Sequence, residues 1–269
     1  MEKEKDLAIA AARAAGYIIR AIYETNFTVE YKKGDNSPVT LADREANQKI
    51  HAMLQAVFPD YGWLSEETVD SSARLTARRV WVVDPMDGTR EFIQKIPEFA
   101  VSIGLIEAGR PILGVVYNPT LDQLFWAVRG QGAWCGSRPL RVPETPHLAE
   151  ATILSSRSET KRGEWKDFRS LFRARPMGSI AYKLACIANG EADASFTLTP
   201  KNEWDICAGA LLVEEAGGRV TTLSGKPVRF NQPTTLLQGL VASNGKLHPQ
   251  LLKLVKPRLT ARHHAENRP

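Results

Sequence analysis

The stretch VVDPMDGTREF, residues 82–92, constrains this chain more than any other. An apolar run ends in two aspartates three apart, Asp84 and Asp87, and Gly88 and Thr89 follow at once. Aspartates at i and i+2 of a strand point to one side, as a phospho-aspartate site of the D-x-D-G-T type requires; at i and i+3 they point to opposite sides. The chain must therefore turn between them, and Pro85, with its fixed φ, is expected to end the strand. A turn lets both carboxylates and the Met86 carbonyl converge on one cation, and hard oxygen ligands of that kind suit Mg²⁺. Gly88 and Thr89 stand at the start of a helix, GTREFIQ, where free backbone N–H groups attract an anion such as phosphate. The plainer alternative is an Asp-Pro turn with Asp87 as a helix N-cap.

Other carboxylates fall beside strand ends and helix starts: Asp43 in TLADREAN, Glu66 and Glu67 in GWLSEET, Asp205 in KNEWDICAG. Singly, each reads as a surface helix residue, a solvated loop or a cap. Together they would repel one another unless cations held them. Either they do not converge, or they build a metal site.

Around these motifs the chain reads as layered α/β. Residues 4–24 and 40–57 have helical periodicity, with Thr40 as N-cap of the second segment. RVWVVD, FAVSIGLIEAG, PILGVVYNP and QLFWAVRGQGAW follow as neighbouring antiparallel strands punctuated by Gly, Pro and Asn. Beyond a seam near 142–150 the pattern predicts a strand in ATILSS, a helix in WKDFRSLFRA, a helix in SIAYKLACIANG, a strand in ADASFTL, and a helix in DICAGALLVEEAGG. No apolar run approaches the roughly 18 residues of a membrane span. The N-terminal stretch carries acidic residues and no signal-type apolar core, so an amphipathic helix is expected. The net charge of +5 is not gathered into one block, which argues against a nucleic-acid polymer as partner and suits attraction of small polyanions. Three cysteines without CxxC spacing, Cys135, Cys186 and Cys207, suggest reduced, mostly buried thiols and a cytoplasmic protein.

SPVTLADREAN, WLSEE, WVVDPMDGTREF and NEWDICAG stand in the order and spacing of one family. From about residue 5 to 250 the chain resembles the lithium-sensitive, magnesium-dependent sugar phosphatases of the inositol monophosphatase superfamily, which includes fructose-1,6-bisphosphatases and 3′(2′),5′-bisphosphate nucleotidases. The resemblance implies the sugar-phosphatase fold, α/β in alternating αβαβα layers. Residues 1–145 would form an N-terminal half with the main metal motifs, 146–258 a C-terminal half with Asp205 and substrate contacts, and 259–269 a flexible tail. It implies that Glu66, Asp84, the Met86 carbonyl, Asp87 and Asp205 ligate two Mg²⁺ ions, with Glu67 aiding a third through water. Asp43 and Thr89, with Glu66, would be the catalytic residues that orient and deprotonate the attacking water. Homodimers are common in such proteins.

Substrate choice is read from smaller differences. GTREF is similar to the nucleotidase version of the central motif, and Lys183 stands where nucleotidases carry a lysine and inositol phosphatases an acidic residue; a lysine there would meet a second phosphate. Leu198 stands where inositol phosphatases carry an inositol-binding glutamate. In the other direction, SSRSE matches a nucleotidase segment at Ser156, Arg157 and Ser158, but Glu159 replaces its histidine, and GSIAY is similar to the inositol-phosphatase turn. The expectation is a bisphosphate nucleotidase that converts adenosine 3′,5′-bisphosphate to AMP and phosphate by metal-activated water. Its substrate contacts would be Asp87, Gly88, Thr89, Ser156, Arg157, Gly178, Lys183 and Asp205. The alternatives are an inositol-1-phosphate or fructose-1,6-bisphosphate phosphatase and, in another class, a non-catalytic nucleotide-binding protein. In plainer terms, Lys183 would be a surface helix lysine and Arg157 a capping or salt-bridge residue.

Overall fold

In the computed structural model residues 1–33, 36–168 and 170–256 are described; the tail expected at 259–269 lies outside the described residues. Helix α1 (Glu2–Tyr23) buries Ala8, Ala11, Ala12, Ala15 and Ile19, a stripe spaced three and four apart. Its small side chains let α2 (Leu41–Val57) pack closely through Ala42, Ala46, Ile50 and Leu54. A short hairpin, β1 (Val29–Tyr31) with β2 (Pro38–Thr40), leads into α2.

A seven-stranded sheet follows: β3 (Gly62–Ser65), β4 (Arg79–Asp87), β5 (Ala100–Glu107), β6 (Arg110–Asn118), β7 (Gln123–Val128), β8 (Ala133–Cys135) and β9 (Arg138–Pro139). Only β3–β4 is a parallel pair; the expected antiparallel neighbours are present. Side-chain alternation on β4 sets the layers. Trp81 and Val83 pack with α1 and α2, while Val80 and Val82 face the other way. The five-residue helix α3 (Thr89–Ile93) follows β4 directly.

The second half adds β10 (Thr152–Ser156), α4 (Arg157–Lys161), β11 (Arg173–Met177), α5 (Ile180–Ala188), β12 (Ala194–Thr197), β13 (Lys201–Asn202), α6 (Glu203–Glu215), β14 (Arg219–Thr222), β15 (Leu236–Leu237) and β16 (Leu240–Ser243). Its five-stranded sheet has the order β11-β10-β12-β16-β14. Helices α5 and α6 share one core with Val80 and Val82 on one side and with Leu154, Val220 and Ala242 on the other. Beyond that sheet, Ile153, Phe196 and Val241 pack against Trp165, Phe168, Leu247 and Leu251, the last within helical residues 248–256. The layers are thus αβαβα. Cys186 and Cys207 are buried and Cys135 half-buried. Among the described residues no helix is long and apolar enough to cross a membrane.

Two local expectations fail. The helix expected over 165–174 is a single 3₁₀ turn, Lys166–Phe168, followed by β11. Trp165, Phe168 and Phe172 have helical spacing, but they gather on Phe196, which Trp165 stacks at 4.4 Å between ring centroids. Long-range aromatic packing outweighs the local period. Pro176 is tolerated in β11 because that strand lies at the sheet edge. The other failure concerns Pro85. Strand β4 does not end there but continues to Asp87 through a bulge. Asp84 lies opposite Ser102 and Asp87 opposite Ala100, three steps against two. The extra residue changes the parity of the strand, which a simple turn was expected to do.

Candidate active site

The two aspartates outside the central motif hold equivalent places on their helices. Asp43 is the third residue of α2 and closes a capping box with Thr40, its Oδ2 accepting from Thr40 N and Oγ1, both at 2.7 Å. Asp205 is the third residue of α6 and closes a capping box with Asn202, its Oδ2 accepting from Asn202 N at 3.1 Å. Such caps contribute about 1 kcal/mol each and use one oxygen. The second oxygen of Asp43, Oδ1, accepts from Thr89 Oγ1 at 2.9 Å. Capping and site-building, alternatives in the sequence, coexist here.

Glu66, at the end of β3, Asp84 on β4 and Asp205 on α6 bring one oxygen each within 4.8 Å of one another. Asp84 is 1% exposed. Burial, then the charges of Glu66, Asp87 and Asp205, hold its pKa well above the usual carboxylate range. Burial likewise raises Asp205, and pushes Glu66 up to about 7. Carboxylates crowded in this way favour either protons or a cation. Asp84 is also braced, since its Oδ1 accepts from Met86 N at 2.9 Å. The donors are all oxygen, which fits a hard divalent cation and not zinc or copper.

Lys32, just after β1, was not anticipated. Its Nζ donates to Glu66 Oε1 at 2.8 Å and to Glu67 Oε1 at 2.5 Å. The only sequence signal was a lysine shortly before SPVT. Glu67 is thus held beside the cluster by Lys32, and Asp43 is pushed up to about 6, chiefly by burial.

Asp87 stands next to the cluster but turns one oxygen away. Its Oδ2 accepts from Ser179 Oγ at 2.7 Å and from Ala181 N at 2.6 Å, so it ties β4 to the start of α5. Asp87 is therefore not a cap of α3; Gly88 is, at φ 103°, and a Cβ there would lie 2.8 Å from the Glu98 carbonyl.

One cavity of about 420 Å³ joins the carboxylates to residues of the second half. Glu66, Asp84, Met86, Asp87, Gly88, Thr89, Ser156, Arg157, Gly178, Lys183 and Asp205 all line it. Asp43 is behind that wall, reaching it through Thr89. Lys183 is 3% exposed, not a surface lysine, and burial together with the charge of Lys201 lowers its pKa to about 8. Arg157 is a salt-bridge residue as well as a lining one, with Nη2 2.5 Å from Glu98 Oε2. The same Glu98 oxygen accepts from Gly178 N at 2.8 Å. Ser156 caps α4 and accepts from Glu159 N at 3.4 Å. Glu159 itself is buried and accepts from Trp165 Nε1 and Thr197 Oγ1, so it serves the fold. Leu198 packs against the core formed by Trp165, Phe168 and Phe196 and does not line the cavity. Ser179, Glu91, Thr199 and Lys201 also line the cavity and were not singled out by the sequence; Lys201 stands four residues before Asp205, a spacing with no signal of its own.

The pattern of the Inositol monophosphatase family matches residues 1–259. An inositol-1-monophosphatase of Caulobacter vibrioides is 36% identical over 259 residues, spanning 92% of this chain and 98% of that protein. A fructose-1,6-bisphosphatase/inositol-1-monophosphatase of Thermotoga maritima is 32% identical over 259 residues, spanning 93% and 94%. Among solved structures, a Thermotoga maritima IMPase superposes with a TM-score of 0.86 at 31% identity, covering 97% of this chain and 99% of that one.

Proposed function

The chain belongs to the inositol monophosphatase family and is a phosphatase of that family, and from this premise we propose that it is a Mg²⁺-dependent nucleotidase that releases the 3′-phosphate of adenosine 3′,5′-bisphosphate. Glu66, Asp84, Asp87, Asp205 and the Met86 carbonyl would hold two Mg²⁺ ions, and Glu67 would reach a third through water. Bound there, the metal supplies Lewis acidity at the phosphate and the leaving oxygen. The chain's own part is proton handling and orientation. Thr89 Oγ1 donates to Asp43 Oδ1, which leaves its lone pairs to accept a proton from the attacking water. With its pKa near 6, Asp43 is a carboxylate at neutral pH and can take the proton onward. The N–H groups of Gly88 and Thr89 would hold the phosphate oxygens.

Lys183 carries the substrate assignment. It is a buried ammonium lining the same cavity as the carboxylate cluster, where a second phosphate would meet it. The names of the two relatives favour a second reading, inositol-1-phosphate or fructose-1,6-bisphosphate. Phosphate release from the three compounds, each with Mg²⁺ and with EDTA, decides between them. A Mg²⁺-dependent preference for the nucleotide supports the proposal; a preference for either sugar phosphate overturns the nucleotide assignment and leaves the phosphatase intact.

A further inference from the structure

The strand-to-helix connection from β12 to α6 carries two polar side chains that the carboxylate site does not use. Thr199 Oγ1 is sealed from solvent and has no hydrogen-bond partner among the described residues, yet Thr199 lines the cavity. Its position is fixed from behind, because Thr197 Oγ1, whose proton goes to Glu159, accepts from Thr199 N at 3.2 Å. Lys201 lines the same cavity and is held by the β13–β15 ladder, opposite Leu237. Its charge favours ionised Asp87 and Asp205 and opposes that of Lys183.

Neither Lys183 nor Lys201 has a carboxylate within ion-pair distance among the described residues, unlike Arg157, which is committed to Glu98. Glu159, the carboxylate nearest in charge effect to Lys183, is occupied by Trp165 and Thr197. The buried Lys183 ammonium and the sealed Thr199 hydroxyl are unfavourable without an acceptor, and half-buried Lys201 adds a second ammonium on the same cavity wall. A single oxyanion with several lone pairs would satisfy all three donors.

We propose that Thr199 and Lys201, together with Lys183, hold a second anionic group of the substrate, a phosphate that is not hydrolysed, and so set a preference for bisphosphates over monophosphates. This rests on the reading of the cavity as a phosphate-ester site but not on the nucleoside. The hydrolysed phosphate would lie at the carboxylate cluster, on the same cavity.

The test compares Thr199→Val and Lys201→Met with the wild type at saturating Mg²⁺. The values of kcat/KM are taken for adenosine 3′,5′-bisphosphate against adenosine 3′-phosphate, and for fructose 1,6-bisphosphate against fructose 1-phosphate. Loss of one charge-assisted hydrogen bond should lower the bisphosphate-to-monophosphate ratio roughly tenfold or more, mainly through KM, and Lys201→Arg should restore most of it. An unchanged ratio in both pairs overturns the inference, whether or not activity falls. A wild type that prefers inositol-1-phosphate overturns the nucleotide assignment alone, provided the fructose ratio still drops in the variants. A wild type that treats bisphosphates and monophosphates alike overturns both.

Discussion

Asp43 Oδ1 accepts a hydrogen bond from Thr89 Oγ1 at 2.9 Å, joining the first turn of α2 to the first residue of α3 across 46 positions of sequence. Asp43 does not line the cavity; it acts on it through Thr89. Under the proposed function the pair would serve proton transfer and not metal ligation.

That division of labour has a kinetic consequence. Asp43→Asn and Thr89→Ala should each lower kcat by roughly 10²–10⁴, the range of a lost general base, while the Mg²⁺ activation constant changes far less. Thr89→Ser, which keeps the hydroxyl, should retain much of the activity. Steady-state rates across a Mg²⁺ titration check this, and equal losses in metal affinity would refute the division.

The crowding of Glu66, Asp84 and Asp205 predicts opposite effects on stability and activity. Asp84→Asn should abolish activity yet raise the Tm of the protein in EDTA, because it removes the most buried of three crowded carboxyls, whose ionisation the fold opposes. Melting curves with EDTA and with Mg²⁺ test both halves; the variant should gain nothing from Mg²⁺.

The same cluster links metal to pH. Burial raises the carboxyl pKa values, to about 7 for Glu66, so the folded protein keeps protons that the unfolded chain releases. Stability of the metal-free protein should then fall as pH rises from the ordinary carboxylate range through about 7. Mg²⁺ replaces those protons, so the Tm gain on adding it should be larger at about pH 8 than at about pH 6.

Gly178 is required by a contact, not by its φ angle. A Cβ there would lie 2.2 Å from Glu91 Cδ. Gly178→Ala should displace Glu91, disturb the Glu98–Arg157 pair beside it, and cost about 1–3 kcal/mol. Chemical denaturation measures the loss, and KM should rise with it.

His248 predicts acid sensitivity away from the site. Its ring lies between Thr221 Oγ1 at 2.8 Å and Ser243 Oγ at 2.9 Å, and burial lowers its pKa to about 4. A base held neutral in the fold contributes stability that is complete above its unfolded pKa of about 6.5 and is lost as pH falls toward about 4. The Tm gap between wild type and His248→Gln should therefore narrow across that window.

Much of the site was legible because its parts are local. The 3.6-residue period of α1 and α2, the strands between residues 79 and 128, and the carboxylates at 43, 66, 84, 87 and 205 can each be read within a dozen residues. Glu66, Asp84 and Asp205 do converge, as mutual repulsion relieved by a cation would require. Less legible was anything that depends on what a side chain meets. The aromatic spacing of residues 165–172 has a helical period, yet Phe196 recruits those rings into a cluster instead.

By itself the sequence determined the order of elements and the identity of the carboxylates, because periodicity, capping and the D-x-x-D spacing are properties of short segments. Tertiary structure alone decided that β4 bulges instead of stopping at Pro85, since the extra residue is defined only against Ser102 and Ala100 on β5. It also decided that Lys32 reaches Glu66 and Glu67, that Lys183 is buried, and that the Thr199 hydroxyl is left without a hydrogen-bond partner among the described residues. The reason is physical: burial, charge coupling and hydrogen-bond satisfaction depend on groups brought close by packing, and no local pattern encodes which groups those are.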